Sequence, residues 1–284
     1  MGTGRIVFGI SAGLVGVVVL LIYLMERNEK IDLQPEVSPD IEIIQSWELP
    51  KELSEVSGIA HLGENQIAGI QDELGNIFIY NLDSSKVVRN IQFAGQGDYE
   101  GIAVVGADAY VLQSDGIIYR VRDFLGKPEV EEFDIELGSS VNLEGLAFDR
   151  KSGRFFVAVK EDDPISKDYK GIYAVDRQSM KSSREPVIKM TFQDSIFDEI
   201  RQEDLQEIFY PSEIGIAPSG EVYLLEAEQP RLLVFNSAGK PEKLHLLDET
   251  KFPQPEGLTF SDQGELLISS EGKPAMLHLV RIKD

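Results

Sequence analysis

The chain begins with one long apolar stretch. Residues 6–25 form an uncharged run of 20 residues, which at about 1.5 Å per helical residue matches the thickness of a bilayer core. This pattern predicts a membrane-spanning helix, with residues 1–30 as an N-terminal anchor. A cleaved signal peptide is the alternative, but it would have a shorter apolar region and a small-residue cleavage site. Basic residues flank the run on both sides, so their count does not fix its orientation.

The pattern changes after the anchor. Residues 31–40 are polar, include two prolines and have no apolar period, which is typical of a linker. From Ile41 onward, short β-rich runs alternate with turns of Gly, Asp, Asn and Pro. This alternation predicts an all-β domain over residues 41–284.

A short motif recurs five times in this domain, each time as a polar residue at the start of an apolar strand. The equivalent residues are Ser57, Glu100, Glu144, Ser212 and Glu256, at spacings of 43, 44, 68 and 44 positions. Each copy continues through two more strands and is followed by a fourth. Four antiparallel strands in about 40 to 45 residues are the repeating unit of a β-propeller. A glycine follows the motif residue in four copies, and we expect it to permit close backbone approach where blades converge.

The ends of the domain predict how the ring closes. The fifth copy supplies three strands before the chain stops, whereas residues 41–49 form a strand with no blade of its own. We expect this strand to complete the fifth blade and remove the open sheet edges. The long interval exceeds the 44-residue repeat by 24 residues, and residues 194–209 within it fit a short amphipathic helix. The pattern therefore favours five blades, with six as the alternative.

The charge of the chain is strongly negative. Its 49 acidic residues outnumber 27 basic ones, for a net charge of −22. This excess argues against nucleic acid as a partner, because phosphate binding needs the opposite field. The chain has no cysteine, which excludes disulfides and thiol chemistry but does not identify the compartment.

Acidic residues concentrate at one predicted end of the propeller channel. The second strand of a blade runs antiparallel to the first, so its end lies beside the motif residue. The candidate metal ligands are the motif residues Glu100, Glu144 and Glu256 and the strand-end residues Asp72, Glu73, Asp115, Glu161 and Glu271. Carboxylates this close together need a compensating cation. We therefore predict a metal site at this mouth of the channel.

Calcium suits such a site, because it accepts six to eight oxygen ligands in irregular arrangements. Zinc prefers nitrogen and sulfur, and His61, His245 and His278 all fall outside the motif positions. A second interpretation is that each motif glutamate binds backbone amides of the next blade and serves only as a latch.

The motif copies resemble a known family. The succession runs EVSGIA, DYEGIAVVG, NLEGLAFD with VAVKEDDP, and QPEGLTF with ISSEGKP. This order is similar to that of the SdiA-regulated family of bacterial envelope proteins, over roughly residues 45–284. The resemblance implies a five-bladed propeller with bound Ca²⁺, often behind an N-terminal membrane segment, and distantly related to NHL-repeat propellers. The fourth copy, PSEIGIAP, departs from the family pattern.

These observations predict a single-pass protein of the bacterial cell membrane, anchored through residues 6–25, with its propeller in the periplasm. The favoured function is a calcium-binding recognition or scaffold module that binds an unknown protein or small molecule at the acidic mouth. The alternative is a calcium-dependent hydrolase of lactones or phosphoesters. In that case Glu161, Asp162 or Asp163 would supply the base, and residues 194–209 would form a lid.

Overall fold

The structure is a computed structural model that describes residues 37–63, 65–138, 141–200 and 207–283. Residues 37–284 form one compact unit. The predicted anchor at residues 6–25 lies outside the described residues. Within the described ranges, no helix is long and apolar enough to cross a membrane.

The described residues form five antiparallel sheets of four strands each. Blade I contains β2 (Val56–Gly63), β3 (Gln66–Gln71), β4 (Leu74–Asn81) and β5 (Lys86–Gln96). Blade II contains β6 (Tyr99–Val105), β7 (Asp108–Gln113), β8 (Ile117–Arg122) and β9 (Glu129–Asp134). Blade III contains β10 (Leu143–Asp149), β11 (Arg154–Val159), β12 (Tyr169–Asp176) and β13 (Ile188–Thr191).

The last two blades follow the same order from the channel outward. Blade IV contains β14 (Pro211–Ile216), β15 (Val222–Glu226), β16 (Arg231–Phe235) and β17 (Pro241–Leu246). Blade V contains β18 (Pro255–Phe260), β19 (Leu266–Ser270), β20 (Met276–Ile282) and β1 (Ile41–Glu48). The five innermost strands contact one another in succession, and β18 contacts β2 to complete the ring. Apolar cores fill the spaces between adjacent blades.

The predicted ring closure is confirmed. β1 pairs antiparallel with β20, from Ile41 opposite Ile282 to Glu48 opposite Met276. The N-terminal strand thus becomes the outer strand of the last blade, and the fold has five blades rather than six. Because the first and last strands share one sheet, the two ends of the domain hold each other in place.

The residues just before β1 are also fixed to the propeller, although the sequence assigns them to a linker. Ser38 N–H donates to the Leu246 carbonyl at 2.9 Å, and Leu246 N–H donates to Ser38 Oγ at 2.8 Å. The Asp40 carboxylate pairs with Lys243 at 2.5 Å and with His245 at 3.2 Å. Ser38 and Asp40, which fall in the predicted linker, are therefore bonded to blade IV.

The extra residues of the long interval lie between β13 and β14. Their described part contains a 3₁₀ turn at Ser195–Phe197, which the Asp194 side chain caps by accepting from Ile196 N–H. Phe197, Ile208 and Phe209 are buried in the core between blades III and IV. Residues 201–206 lie outside the described residues, so an amphipathic helix over the whole segment stays a prediction.

Candidate functional site

The motif residues lie where the five innermost strands converge on the channel. Every copy of the motif contains a shift in strand register at this point. A Cβ on Gly101 would lie 2.4 Å from Leu146 N, and a Cβ on Gly145 would lie 2.3 Å from Glu213 Oε1. Gly145 also has a φ of +69°, a conformation that glycine adopts without steric cost. The predicted role of the glycines in close backbone approach is confirmed.

Blade IV has a glutamate, Glu213, at the position where the other four blades have glycine. Its Oε1 accepts hydrogen bonds from Leu146 N–H at 3.1 Å and from Ile214 N–H at 2.9 Å. Its Oε2 has no hydrogen-bond partner among the described residues and lies 3.3 Å from where a Cβ on Gly58 would be. Burial raises the pKa of Glu213 well above its ordinary value, despite the two N–H donors. One carboxyl group therefore occupies the space between blades I, III and IV.

The two motif serines connect adjacent blades. Ser57 Oγ donates to the Tyr99 carbonyl of blade II at 2.6 Å, and Ser212 Oγ donates to the Pro255 carbonyl of blade V at 2.8 Å. Both serines are buried. They are hydrogen-bonded latches between the starts of innermost strands.

The three motif glutamates behave differently. In the described part of the chain, none of them accepts a hydrogen bond from a backbone amide. The carboxyl group of Glu100 lies beside those of Glu144 and Asp98, and that of Glu256 lies beside that of Glu271. Burial raises the pKa of Glu100 to about 7 and, together with the nearby Glu271 carboxyl group, that of Glu256 to about 8. Burial and the charge of Glu100 also raise the pKa of Glu144 well above its ordinary value.

Lys160 is a member of this cluster that the sequence analysis missed. Its Nζ lies 2.6 Å from Glu144 Oε1, and the Glu144 side chain is only 3% exposed. Burial opposes the ammonium, but Glu144, Glu100 and Glu256 together raise the pKa of Lys160 above its ordinary value. A signal was available in the sequence, because Lys160 directly precedes the predicted ligand Glu161 and adjacent residues of an extended chain point in opposite directions.

The structure brings four of the eight predicted ligands together: Glu100, Glu144, Glu256 and Glu271. Asp72 lies nearby, half-buried, and burial raises its pKa. The other three, Glu73, Asp115 and Glu161, are exposed at the rim. Among the described residues, no three His, Asp or Glu side chains are arranged as ligands of one metal ion.

The chemistry of the cluster nevertheless suits a hard cation. All of its acidic members offer oxygen ligands, which calcium prefers. Among the described residues, one ammonium, that of Lys160, lies beside four carboxyl groups. The Oε2 of Glu213, which has no hydrogen-bond partner in this part of the chain, is buried between blades I, III and IV. The raised pKa values of these groups result first from burial and then from the neighbouring carboxyl groups.

The opposite end of the channel is lined by different kinds of residue. A cavity of about 100 Å³ lies there, and it is lined by residues from all five innermost strands. These residues are mostly apolar, together with His61, Arg150 and Thr259, and no carboxylate is among them. The lining of this cavity thus differs from the motif end, where four carboxyl groups meet and which we call the acidic mouth (Glu100, Glu144, Glu256 and Glu271).

The fold is similar to several solved propellers. Glutaminyl cyclase of Myxococcus xanthus has a TM-score of 0.61 and 12% identity, over 86% of this chain and 97% of that chain. The PQQ-bound form of aldose sugar dehydrogenase from Streptomyces coelicolor has a TM-score of 0.54 and 12% identity, over 88% and 100% of the two chains. A protein of unknown function from Bacteroides thetaiotaomicron has a TM-score of 0.55 and 13% identity, over 87% and 77%.

At such low identity these similarities show the fold alone, and the enzymes among them do not assign an activity to this chain. The family comparison is more specific. The model of one family matches residues 44–280, which include all five copies of the motif. The chain therefore belongs to the SdiA-regulated family.

Proposed function

We propose that this protein is a membrane-tethered recognition or scaffold module whose acidic mouth binds Ca²⁺. The observation that carries the proposal is the acidic mouth itself, where carboxyl groups from three blades meet and where the described residues supply one ammonium, that of Lys160. Such an arrangement costs free energy unless a cation or protons compensate the charge. Calcium would remove that cost and would join blades II, III and V through shared ligands.

Glu100, Glu144 and Glu256 are the residues that would hold the ion, with Glu271 beside them. Their carboxyl groups already lie next to one another in the fold. The exposed rim residues Glu73, Asp115 and Glu161 would add to the negative field that attracts the cation. A bound ion supplies charge compensation and rigidity at the mouth, where a protein or small molecule would be recognised.

The location of the module is also part of the proposal. Residues 6–25 would hold it to a bacterial membrane and the propeller would lie in the periplasm. The length and apolar character of that run support a membrane span.

Hydrolysis is supported less well by the arrangement of the candidate bases. Asp163 accepts hydrogen bonds from Gly171 N–H at 2.9 Å and from Tyr173 Oη–H at 3.1 Å. Its carboxylate is therefore already occupied by hydrogen bonds to neighbouring residues. Glu161 and Asp162 are exposed on the rim, whereas the buried carboxyl groups are those of the cluster. This geometry favours a binding site over a catalytic one.

Calorimetric titration of the full chain, purified in a mild detergent, tests the proposal. We expect Ca²⁺ to bind, and the folded state to gain about 2.7 kcal/mol when free Ca²⁺ is a hundred times its dissociation constant. Absence of both binding heat and a rise in melting temperature would refute calcium binding. Turnover of lactones or phosphoesters that depends on Ca²⁺ would instead support the hydrolase.

A further inference from the structure

Lys160 is the feature of the acidic mouth that calcium binding alone does not explain. It follows directly after β11, and its N–H donates to the Asn142 carbonyl at 3.0 Å, which fixes its backbone beside the start of β10. From there its Nζ reaches Glu144 Oε1 at 2.6 Å. Its charge also acts on Glu100 and Glu256, which belong to two other blades.

No other lysine or arginine in the described ranges forms an ion pair with a motif glutamate. The ammonium of Lys160 is therefore a cation that the protein itself supplies to these carboxylates. A calcium ion would need oxygen atoms from the same groups, because it requires six to eight ligands. The ammonium and the ion cannot both have Glu144 as a close partner without mutual repulsion.

The Lys160 side chain approaches the cluster from the solvent side. It is 32% exposed, whereas Glu144 is 3% exposed, so the lysine extends inward from the rim. A second buried pair in the same region differs, because Arg231 and Glu226 are 3% and 1% exposed and Arg231 also donates to the Ile208 carbonyl. Arg231 is held by the fold, but Lys160 can withdraw into solvent by rotating its flexible side chain.

We propose that Lys160 is a built-in counter-ion that competes with Ca²⁺ for the motif glutamates and so lowers the calcium affinity of the mouth. This inference rests on the proposed calcium site and adds its regulation. When calcium is scarce, the ammonium stabilises the cluster. When calcium is abundant, the ion displaces the ammonium, and the mouth changes from one cation to the other.

The test is to compare wild type with Lys160→Met, which keeps the length of the side chain but removes its charge. Lys151→Met is the matched control, since Lys151 lies in the same blade at the turn between β10 and β11, at the other end of β10 from Glu144. Lys160→Arg keeps the charge. Calcium dissociation constants and melting temperatures in chelator are measured on the full chain in detergent.

We expect Lys160→Met to bind Ca²⁺ about tenfold more tightly, since one nearby positive charge is removed, and to melt at a lower temperature in chelator. Lys151→Met and Lys160→Arg should retain the wild-type affinity. Binding by Lys160→Met alone, with none by wild type, would also support the inference. An equal or weaker affinity of Lys160→Met would overturn it while leaving the calcium site intact, and absence of binding by both proteins would overturn the inference and the proposed function together.

Discussion

Blades I and IV differ from blades II, III and V in the residue that begins their innermost strand. The two serines donate hydrogen bonds to carbonyl groups of the next blade, at 2.6 and 2.8 Å. The three glutamates pair with other acidic groups and with Lys160 instead. The same backbone position therefore has two roles. Serine joins neighbouring blades, and glutamate places a carboxyl group in the acidic mouth.

The latch interpretation thus describes the serines and Glu213, and it does not describe the motif glutamates. Each serine latch contributes about 1 kcal/mol net, the usual value for a hydrogen bond in a protein. The glutamates oppose folding when they are ionised and uncompensated. A substitution at a latch should therefore lower the free energy of unfolding under all conditions. The effect of a substitution in the cluster should instead depend on calcium and pH.

The largest effect is expected at Gly145, where a side chain would collide with the Glu213 latch. Its Cβ would lie 2.3 Å from Glu213 Oε1 and 2.5 Å from Ile214 N. Gly153 has nearly the same φ, +70°, but nothing lies within 4 Å of its Cβ position. Gly153→Ala should cost about 1 kcal/mol of unfolding free energy, and Gly145→Ala about 3 kcal/mol or more. Denaturant unfolding measures both, and equal losses would show that this position has no special packing role.

A smaller effect is expected from removing the Glu213 latch itself. Glu213→Ala would leave the N–H groups of Leu146 and Ile214 without this acceptor and would open a cavity, at a cost of about 2 to 3 kcal/mol. Glu213→Gln keeps the acceptor oxygen and should cost about 1 kcal/mol or less, because the raised pKa already favours a neutral group. Both losses should be the same with calcium and with chelator. A loss confined to the calcium-bound protein would instead make Glu213 a ligand.

The carboxyl groups of the cluster should make the free energy of unfolding depend on pH. The pKa values of Glu100 and Glu256 are about 7 and 8, above the ordinary 4.5. Between the ordinary pKa and the raised ones, the folded state therefore binds more protons than the unfolded state. The free energy of unfolding should fall as pH rises through that interval. The lowered pKa values of the three histidines and of Lys170 act in the opposite direction, the histidines below about pH 6.5 and Lys170 above about 8.

Burial raises the pKa of Glu226 to about 8 and that of Glu213 well above its ordinary value, and both groups act in the same direction as the cluster. The response to calcium is therefore what distinguishes the cluster in melting temperatures between about pH 6.5 and 8. In chelator the melting temperatures should decline with pH, and saturating Ca²⁺ should make the decline shallower because the ion replaces the protons of the cluster. Parallel curves in the two conditions would argue against calcium at these carboxylates.

The period of the motif and the pattern of apolar runs were enough to predict five blades, the closing strand and the convergence of the motif residues. These features depend on local alternation and on spacing, which the sequence displays directly. The bonds of Ser38 and Asp40 to β17 were not predicted, because they join residues about 200 positions apart.

Motif spacing and apolar alternation did not predict the positions of Lys160 and Glu213. Every motif copy contains a shift in strand register, and a shift of one residue exchanges the two faces of a strand. Glu161 was selected because it is the acidic residue at the end of the second strand, whereas the structure directs Lys160, one residue earlier, to the cluster. Glu213 occupies a glycine position, and only the three-dimensional arrangement shows that neighbouring glycines leave space for its carboxyl group.

The most direct test compares the two kinds of motif position in one set of melting curves. Glu100→Gln/Glu144→Gln removes charge from the cluster, and Ser57→Ala/Ser212→Ala removes both serine latches. We expect wild type to melt at a lower temperature in chelator than in calcium, and the glutamate variant to lose this response without losing stability in chelator. The serine variant should keep the response and be destabilised by about 2 kcal/mol in both conditions. A wild type indifferent to calcium, with a glutamate variant destabilised equally in both conditions, would contradict the account.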